Sequence, residues 1–256
     1  MIYSIKKGEP KKGWVVVVHG LGEHIGRYEK LIDGLAERGY AVLGFDLPGH
    51  GRSPGKRGHT SIEEVISVIN DLTRENNIEK FHIFGHSLGG LISIRYTQEN
   101  LQRVRSLVVS SPALFLSPKF SQLLLLNLFS IIYPALTLRN GIDPKDLSRN
   151  EEAVEKYITD DLVHDKISIK LAKSLLKNVK LAHEKVGIIS VPTMMLVGTA
   201  DKVTPPQGSY LFFNNLQLMK ENKKLVRFEG AFHEIFEDNE WSEEFYSTIF
   251  EWYEMR

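Results

Sequence analysis

Short runs of apolar residues recur along the chain, and longer stretches with a helical spacing of apolar positions separate them. The first run, residues 14–18, contains four consecutive valines and is typical of a strand buried on both faces. Five further runs share this character. We predict strands over residues 14–18, 40–45, 81–84, 104–109, 194–197 and 225–228.

Helical patterns lie between most of these strands. Ser61 and Glu64 form a capping-box pattern that begins a helix extending to about residue 75. The same spacing predicts helices over residues 31–38, 88–98 and 241–253. Because strands alternate with helices, we predict an α/β fold with a mostly parallel central sheet and helices on both faces.

The alternation is interrupted between residues 112 and 186, where we find no convincing strand pattern. The segment has an apolar first part, a turn-rich middle and two polar helical patterns, over 151–157 and 167–181. An insertion between two strands of a parallel sheet lies at the carboxyl edge, where ligands bind. We therefore predict a helical cap over residues 112–186, inserted into a core formed by residues 1–111 and 187–256.

Composition and charge exclude several classes of function. The 256 residues contain 32 Lys and Arg and 32 Asp and Glu, so no net charge favours binding to nucleic acid. The absence of cysteine excludes disulfides, catalytic thiols and cysteine-based zinc sites. The residues give no reason to expect a metal or another cofactor.

No segment has the pattern of a signal peptide or of a membrane span. Residues 1–14 are polar and rich in lysine. The most apolar stretch, residues 123–136, is shorter than the roughly 20 residues that cross a bilayer. We expect a cytoplasmic protein whose cap is a candidate for peripheral contact with a membrane. The oligomeric state stays open.

The strongest chemical signal is a Gly-x-Ser-x-Gly motif directly after the strand over 81–84 and at the start of a helix. In such a nucleophile elbow the serine is held on a sharp turn, and the helix behind it adds oriented N–H groups. The alternative is a strand-to-helix turn that happens to contain serine. We predict an α/β-hydrolase fold with Ser87 as the nucleophile.

A serine hydroxyl needs a base, and the base needs an orienting carboxylate. His233 follows the last strand of the sheet, and Asp201 follows the strand over 194–197. The order Ser, Asp, His is that of the α/β-hydrolase fold, whereas Asp46 precedes the serine. The weaker candidates lie in loops, in the cap, in a strand or beside the serine: His59, His82, His86, His164, His183, Asp143, Asp146, Asp160, Asp161 and Asp165.

The oxyanion of a tetrahedral intermediate needs two hydrogen-bond donors. One is the N–H of Leu88, the residue after the predicted nucleophile. The other should come from the loop after the first strand, which contains Gly20, Leu21 and Gly22. The glycines allow this backbone to turn toward the site, and Leu21 is the predicted donor.

Three stretches carry a resemblance to a known family. They read HGLGEH followed by GRY (residues 19–24 and 26–28), FDLPGHGRSPG (45–55) and GHSLGG (85–90). These stretches resemble the signatures of monoacylglycerol lipases and their lysophospholipase relatives. The resemblance covers residues 10–112 closely, and it covers residues 190–235 through Asp201 and His233. The resemblance implies an α/β-hydrolase with a mobile helical cap that hydrolyses monoacylglycerols without metal or cofactor. It also implies that Glu23 and Arg27 lie near the glycerol end of the substrate.

The apolar first part of the cap indicates a lipid substrate independently of this resemblance. Residues 120–138 are apolar on nearly every side of a helix, so part of that surface should face an acyl chain or a membrane. The alternatives are packing on the body of the protein and contact between copies.

Three other functions stay open. A broader carboxylesterase or lysophospholipase is the nearest, and Arg27 and Lys56 are candidates for contacting a phosphoryl headgroup. The second is a non-catalytic binding protein on a hydrolase scaffold, because a fold alone does not fix a function. The third is a peripheral membrane protein whose cap is mainly an anchor.

Overall fold

A computed structural model describes residues 1–115 and 132–256. Its strands are β1 (Ser4–Lys7), β2 (Gly13–Val18), β3 (Tyr40–Phe45), β4 (Phe81–His86), β5 (Val104–Ser110), β6 (Thr137–Arg139), β7 (Lys166–Ser168), β8 (Thr193–Gly198) and β9 (Lys223–Phe228). The α-helices of the described ranges are α1 (Glu29–Glu37), α2 (Ile62–Glu75), α3 (Leu88–Glu99), α4 (Glu151–Thr159), α5 (Ile169–Glu184), α6 (Gln207–Asn215) and α7 (Ser242–Glu254).

Seven of the strands form one sheet in the order β1-β3-β2-β4-β5-β8-β9. Every pair in it is parallel except β1 with β3. The predicted mostly parallel sheet is confirmed, and each of its six predicted strands is present. The parallel strands bring the carboxyl ends of β4, β8 and β9 to one edge, where the loops of the predicted site residues begin.

Helices cover both faces of the sheet, as predicted. Alternate side chains of β2 enter two separate apolar clusters, because successive residues of a strand point to opposite faces. Val16 and Val18 pack with residues of α2, α3, α5 and α6. Val15 and Val17 pack with residues of α1 and α7 on the other face. All four valines are fully buried, which explains the uninterrupted apolar run.

The expectation of no strand within residues 112–186 is wrong. β6 and β7 pair antiparallel in that segment, with Leu138 opposite Ile167. Each strand has only three residues, too few to show an alternating pattern. β1 and α6 were also not predicted. β1 is a polar, mostly exposed edge strand rich in lysine, and α6 directly follows Pro205 and Pro206.

The described part of the predicted cap contains β6, α4, β7 and α5. Leu171 and Ala182 of α5 belong to the same apolar cluster as α2 and α3, so this helix packs on the body of the protein. The division into a core and a cap over 112–186 stays a prediction, and these contacts favour a cap that ends before α5. Positions 120–131 of the predicted lipid-facing stretch lie outside the described residues.

No helix within residues 1–115 and 132–256 combines the length and apolar character needed to cross a membrane.

Candidate active site

Ser87 occupies a strained turn between β4 and α3. Its φ is +54° and its ψ is −119°, a conformation that non-glycine residues rarely adopt. The motif glycines permit the close approach around it. A Cβ on Gly85 would lie 2.2 Å from the Gly89 carbonyl oxygen, and one on Gly89 would lie 2.2 Å from that of Val18. The elbow therefore requires glycine at both positions.

His233 and Asp201 lie together at the carboxyl edge of the sheet. Asp201 follows β8 and His233 follows the neighbouring strand β9. His233 Nδ1 lies 2.8 Å from Asp201 Oδ2, and both side chains are buried. Ser87 and His233 line the same small cavity. The structure thus brings together the three residues that the sequence predicts as a triad.

Thr204 joins this pair, although the sequence analysis did not identify it. Its Oγ1 lies 2.8 Å from Asp201 Oδ2 and 3.1 Å from His233 Nδ1. The N–H groups of Val203 and Thr204 donate to Asp201 Oδ1, at 2.8 and 2.9 Å. An aspartate that bonds the backbone two and three residues further on forms an Asx-type turn. The sequence Asp-Lys-Val-Thr carries that signal, so the turn was recognisable in principle.

The charges of the pair move their pKa values in opposite directions. Burial lowers the pKa of His233, but the charge and hydrogen bond of Asp201 outweigh burial and hold it above 6.5. Burial raises the pKa of Asp201, but His233 and Thr204 bring it below 3.8. His233 is therefore a base that the neighbouring carboxylate makes stronger.

Leu21 and Leu88, the predicted oxyanion donors, lie on the two segments that flank the serine. Leu21 lines the cavity at Ser87, and Leu88 is the residue directly after the serine. A Cβ on Gly20 would lie 3.1 Å from Ser87 Cβ, so the loop passes close to the serine. Among the backbone hydrogen bonds of the turns, loops and helix ends in the described ranges, none has the N–H of Leu21 or Leu88 as its donor.

Glu23 lies in this loop and accepts hydrogen bonds that fix its conformation. Its Oε1 accepts from the Gly20 N–H at 2.5 Å and from the Tyr28 hydroxyl at 2.7 Å. Its Oε2 accepts from Arg27 Nη1 at 2.9 Å. Glu23 also lines the cavity at Ser87, where the family resemblance expected it. Its hydrogen bonds give it an additional role in fixing the backbone beside Leu21.

Arg27 forms ion pairs with two carboxylates. Besides Glu23, it donates from Nη1 and Nη2 to the two oxygens of Glu234, at 2.6 and 2.8 Å. Tyr157 of α4 covers the guanidinium at 4.9 Å from the ring centre. Arg27 is not among the residues that line the cavity at Ser87, whereas Glu234 is. Two carboxylates share one guanidinium, so this side of the site carries surplus negative charge.

The cavity at Ser87 is small among the described residues. Its volume is about 10 Å³, close to the minimum for one water molecule. Three residues of the predicted cap, Ile142, Leu147 and Tyr157, contribute to its wall. A neighbouring cavity of about 620 Å³ shares Ile142 and Tyr157 as lining residues.

Asp46 and His82, two of the competing residues, have structural partners. Asp46 accepts hydrogen bonds from the N–H groups of Ile25 and Arg52, at 2.8 and 2.7 Å, and so braces two loops. His82 is buried within β4 and contacts Ser106 Oγ, as expected of a core residue. Burial lowers its pKa to about 4. In the described residues, no group of three or more His, Asp or Glu side chains is arranged to hold a metal ion.

Comparison with known proteins agrees with this geometry. A family model described as serine aminopeptidase, S33, matches residues 9–240. A crystal structure of a monoacylglycerol lipase from Paleococcus ferrophilus is 50% identical, with a TM-score of 0.95, over 99% of this chain and 98% of that one.

Two curated relatives differ in length and description. Phospholipase YtpA of Bacillus subtilis is 32% identical over 88% of this chain and 89% of its own length. An uncharacterized abhydrolase domain-containing protein of Dictyostelium discoideum is 34% identical over 94% of this chain. The match spans only 26% of that longer protein. The chain belongs to the hydrolase family described as serine aminopeptidase, S33, and is an α/β-hydrolase.

Proposed function

We propose that this protein is a monoacylglycerol lipase in which Ser87, His233 and Asp201 form the catalytic triad. One observation carries the proposal. Ser87, on a turn with positive φ, lines the same cavity as His233, whose Nδ1 is bonded to a buried carboxylate. This combination is the nucleophile, base and orienting acid of acyl transfer.

This arrangement supports the following roles for the site residues. His233 Nδ1 is occupied by Asp201, so Nε2 takes the proton of the Ser87 hydroxyl as its Oγ attacks the ester carbonyl. The N–H groups of Leu21 and Leu88 receive the oxyanion. His233 then protonates the departing glycerol oxygen, and the acyl group remains bonded to Ser87 as an acyl-enzyme. In the second half, His233 activates a water that releases the fatty acid.

The charges around the site favour a neutral headgroup such as glycerol. Glu23 and Glu234 line the cavity, and Arg27 is already paired with both. A phosphoryl group would meet this surplus negative charge and would be repelled. Lys56, the other candidate cation, is exposed and donates to the Ala135 carbonyl oxygen. The 50% identity to a monoacylglycerol lipase supports the same substrate class.

Lysophospholipid hydrolysis is the second candidate, because one relative is described as a phospholipase. The two candidates share the triad and differ at the headgroup. If the site prefers a glycerol headgroup, a monoacylglycerol will be hydrolysed faster than the lysophospholipid with the same acyl chain.

The cap offers an apolar surface suited to lipid. Among its described residues, Ile132, Tyr133, Leu136 and Leu138 are between 42% and 58% exposed. We propose that these side chains contact the acyl chain or a membrane surface. Packing against a second copy is the alternative occupant of this surface. The expected cytoplasmic location stays a prediction.

The test is a matched panel of substrates. A medium-chain monoacylglycerol is compared with the lysophospholipid of the same chain, with di- and triacylglycerols and with a simple aryl ester. Ser87→Ala is the blank. Turnover that is fastest on the monoacylglycerol and absent from Ser87→Ala supports the proposal. Faster turnover of the lysophospholipid would identify that lipid, and not the monoacylglycerol, as the preferred substrate. Activity on aryl esters alone would identify the protein only as an esterase.

A further inference from the structure

One segment of the cap runs across the loops beside Ser87. We call residues 160–168 the cap strap. The His164 N–H donates to the Gly22 carbonyl oxygen at 2.8 Å, and the Ser168 N–H donates to that of Gly58 at 2.9 Å. A Cβ on Gly22 would lie 2.3 Å from the His164 carbonyl oxygen, and Gly22 has a φ of +81°. The strap thus lies directly against the backbone of the loop that carries Leu21.

A side-chain contact fixes the start of the strap. His24 Nδ1 accepts from the Gly26 N–H at 3.1 Å, so the imidazole proton is on Nε2. That nitrogen donates to Asp160 Oδ2 at 2.8 Å. Asp160 Oδ1 accepts from the Leu162 N–H at 2.8 Å, which turns the chain into the strap. Asp160 therefore connects the loop at His24 with the strap.

The strap has a second attachment on the core. His164 Nδ1 accepts from the Lys166 N–H, so Nε2 donates to the Gly49 carbonyl oxygen at 3.2 Å. Two core loops, one containing Gly22 and His24 and the other Gly49 and Gly58, are thus joined through one cap segment.

Leu21 lies between two fixed points. On one side the Gly20 N–H is held by Glu23 Oε1, and on the other the Gly22 carbonyl oxygen is held by His164 of the strap. The peptide groups around the Leu21 N–H therefore have defined partners. An oxyanion donor stabilises a transition state only when it is already oriented, so movement of either anchor weakens it.

We infer that the cap strap positions the oxyanion loop, with Asp160 as the positioning residue that holds His24 and the start of the strap. This inference rests on the proposed function, because it assumes that Leu21 is an oxyanion donor. Its consequence is that the chemical step depends on the docked cap even for substrates too small to touch the cap. A strap that only forms a wall of the lipid site would instead affect KM for long acyl chains.

The experiment uses p-nitrophenyl acetate, whose acyl group has two carbons, with the full-length protein. Asp160→Ala removes both hydrogen bonds, Asp160→Asn keeps one acceptor oxygen, and Asp161→Ala changes the exposed neighbouring acid as a control. We expect Asp160→Ala to lower kcat about 10- to 100-fold with KM nearly unchanged. The rate of inactivation by a small fluorophosphonate should fall by the same factor. Asp160→Asn should stay within about fivefold of wild type, and Asp161→Ala should match it.

A double-mutant cycle tests the same contact from the core side. If Asp160 acts through His24, the double variant Asp160→Ala, His24→Ala loses no more activity than the worse single variant. His24→Ala also reports on the contact if Asp160→Ala does not fold.

The outcomes separate this inference from the proposed function. Unchanged kcat on the short ester in Asp160→Ala, or a change confined to KM for long-chain monoacylglycerol, overturns the positioning role. In that case Ser87→Ala remains inactive and the proposed function stands. Activity in Ser87→Ala overturns the proposed function itself.

Discussion

The pKa values of three buried histidines differ because their neighbours differ. His19 accepts from the Leu47 N–H at Nε2 and donates to the Gly20 carbonyl oxygen at Nδ1, and burial lowers its pKa to about 3. Burial likewise lowers the pKa of His86, beside the serine. At His233 the adjacent Asp201 carboxylate reverses this effect. A base with a pKa above 6.5 can take up a proton from serine and return it near neutral pH.

The first prediction concerns pH. Catalysis requires neutral His233, and its pKa in the folded protein is raised above 6.5. We expect kcat/KM on a monoacylglycerol to fall as pH decreases through a midpoint above 6.5. Asp201→Asn should lower kcat by about 10⁴, because the histidine tautomer is no longer fixed. A midpoint below 6, or an active Asp201→Asn variant, contradicts the assignment of this pair.

The second prediction concerns Thr204, whose hydroxyl contacts both members of the pair. Thr204→Val keeps the shape of the side chain and removes the hydroxyl. We expect kcat to fall about tenfold, because a hydrogen bond to a charged group is lost, and the acid limb of the pH profile to shift. Thr204→Ser retains the hydroxyl and should restore most of the activity. Equal kcat in the valine variant would show that the hydroxyl does not act on the pair.

Single residues were predictable where their position follows from the sheet. Ser87 directly follows β4, whereas Asp201 and His233 lie in the loops after β8 and β9, and the ends of these parallel strands meet at one edge. Glu234 was missed because its partner Arg27 lies 207 positions away, and nothing in the local sequence indicates that contact. Arg27 was a candidate for contacting a phosphoryl headgroup, but the structure pairs it with Glu23 and Glu234.

At the scale of elements, the elbow depends on close packing between β2 and α3. The backbone of α3 at Gly89 lies against the carbonyl oxygens of Val18 and His19 at the end of β2. This approach places the start of α3 beside the loop that contains Leu21. Strand, elbow and helix therefore form one packed unit around the serine.

The third prediction tests that packing. Gly89→Ala places a methyl group 2.2 Å from the Val18 carbonyl oxygen, so backbone must shift. We expect the free energy of unfolding to decrease by about 1–3 kcal/mol, as measured by the denaturant midpoint. Gly187→Ala is the control, since its nearest neighbour is the Gln217 side chain at 3.9 Å. Equal stability of the two variants would contradict the steric account of the motif.

Elements were predictable in proportion to their burial. Strands β3, β4, β5 and β8 are apolar and almost fully buried because helices cover both faces of the sheet, whereas the edge strand β9 is only partly buried and has apolar residues at its centre. β6 and β7 have three residues each and are joined across 27 positions, from Arg139 to Lys166, so neither strand has a local signal. The edge strand β1 faces solvent and is polar for the same physical reason that central strands are apolar.

At the scale of the whole molecule, three described residues of the predicted cap line the cavity at Ser87. Ile142, Leu147 and Tyr157 belong to the wall of a space of about 10 Å³, and apolar side chains over residues 132–138 are exposed. Entry of a substrate past these three residues would require a rearrangement of the predicted cap. A lipid surface that binds those apolar side chains would favour the rearrangement.

The fourth prediction concerns this surface. Replacing Ile132, Leu136 and Leu138 together with serine should reduce flotation with phospholipid vesicles and raise KM for a long-chain monoacylglycerol. Turnover of a short soluble ester should be retained. The control replaces the similarly exposed Leu211 and Met219, outside the predicted cap, with serine. Equal flotation of the two variants would assign the cap surface to another contact.

The most direct test of the central claim is to label the protein with a fluorophosphonate while following monoacylglycerol hydrolysis. We predict that one equivalent of probe reacts, that the peptide containing Ser87 carries it, and that hydrolysis is lost in proportion to labelling. The Ser87→Ala variant should neither react nor hydrolyse the substrate. Label on another residue, or hydrolysis that continues after complete labelling of Ser87, would contradict the account.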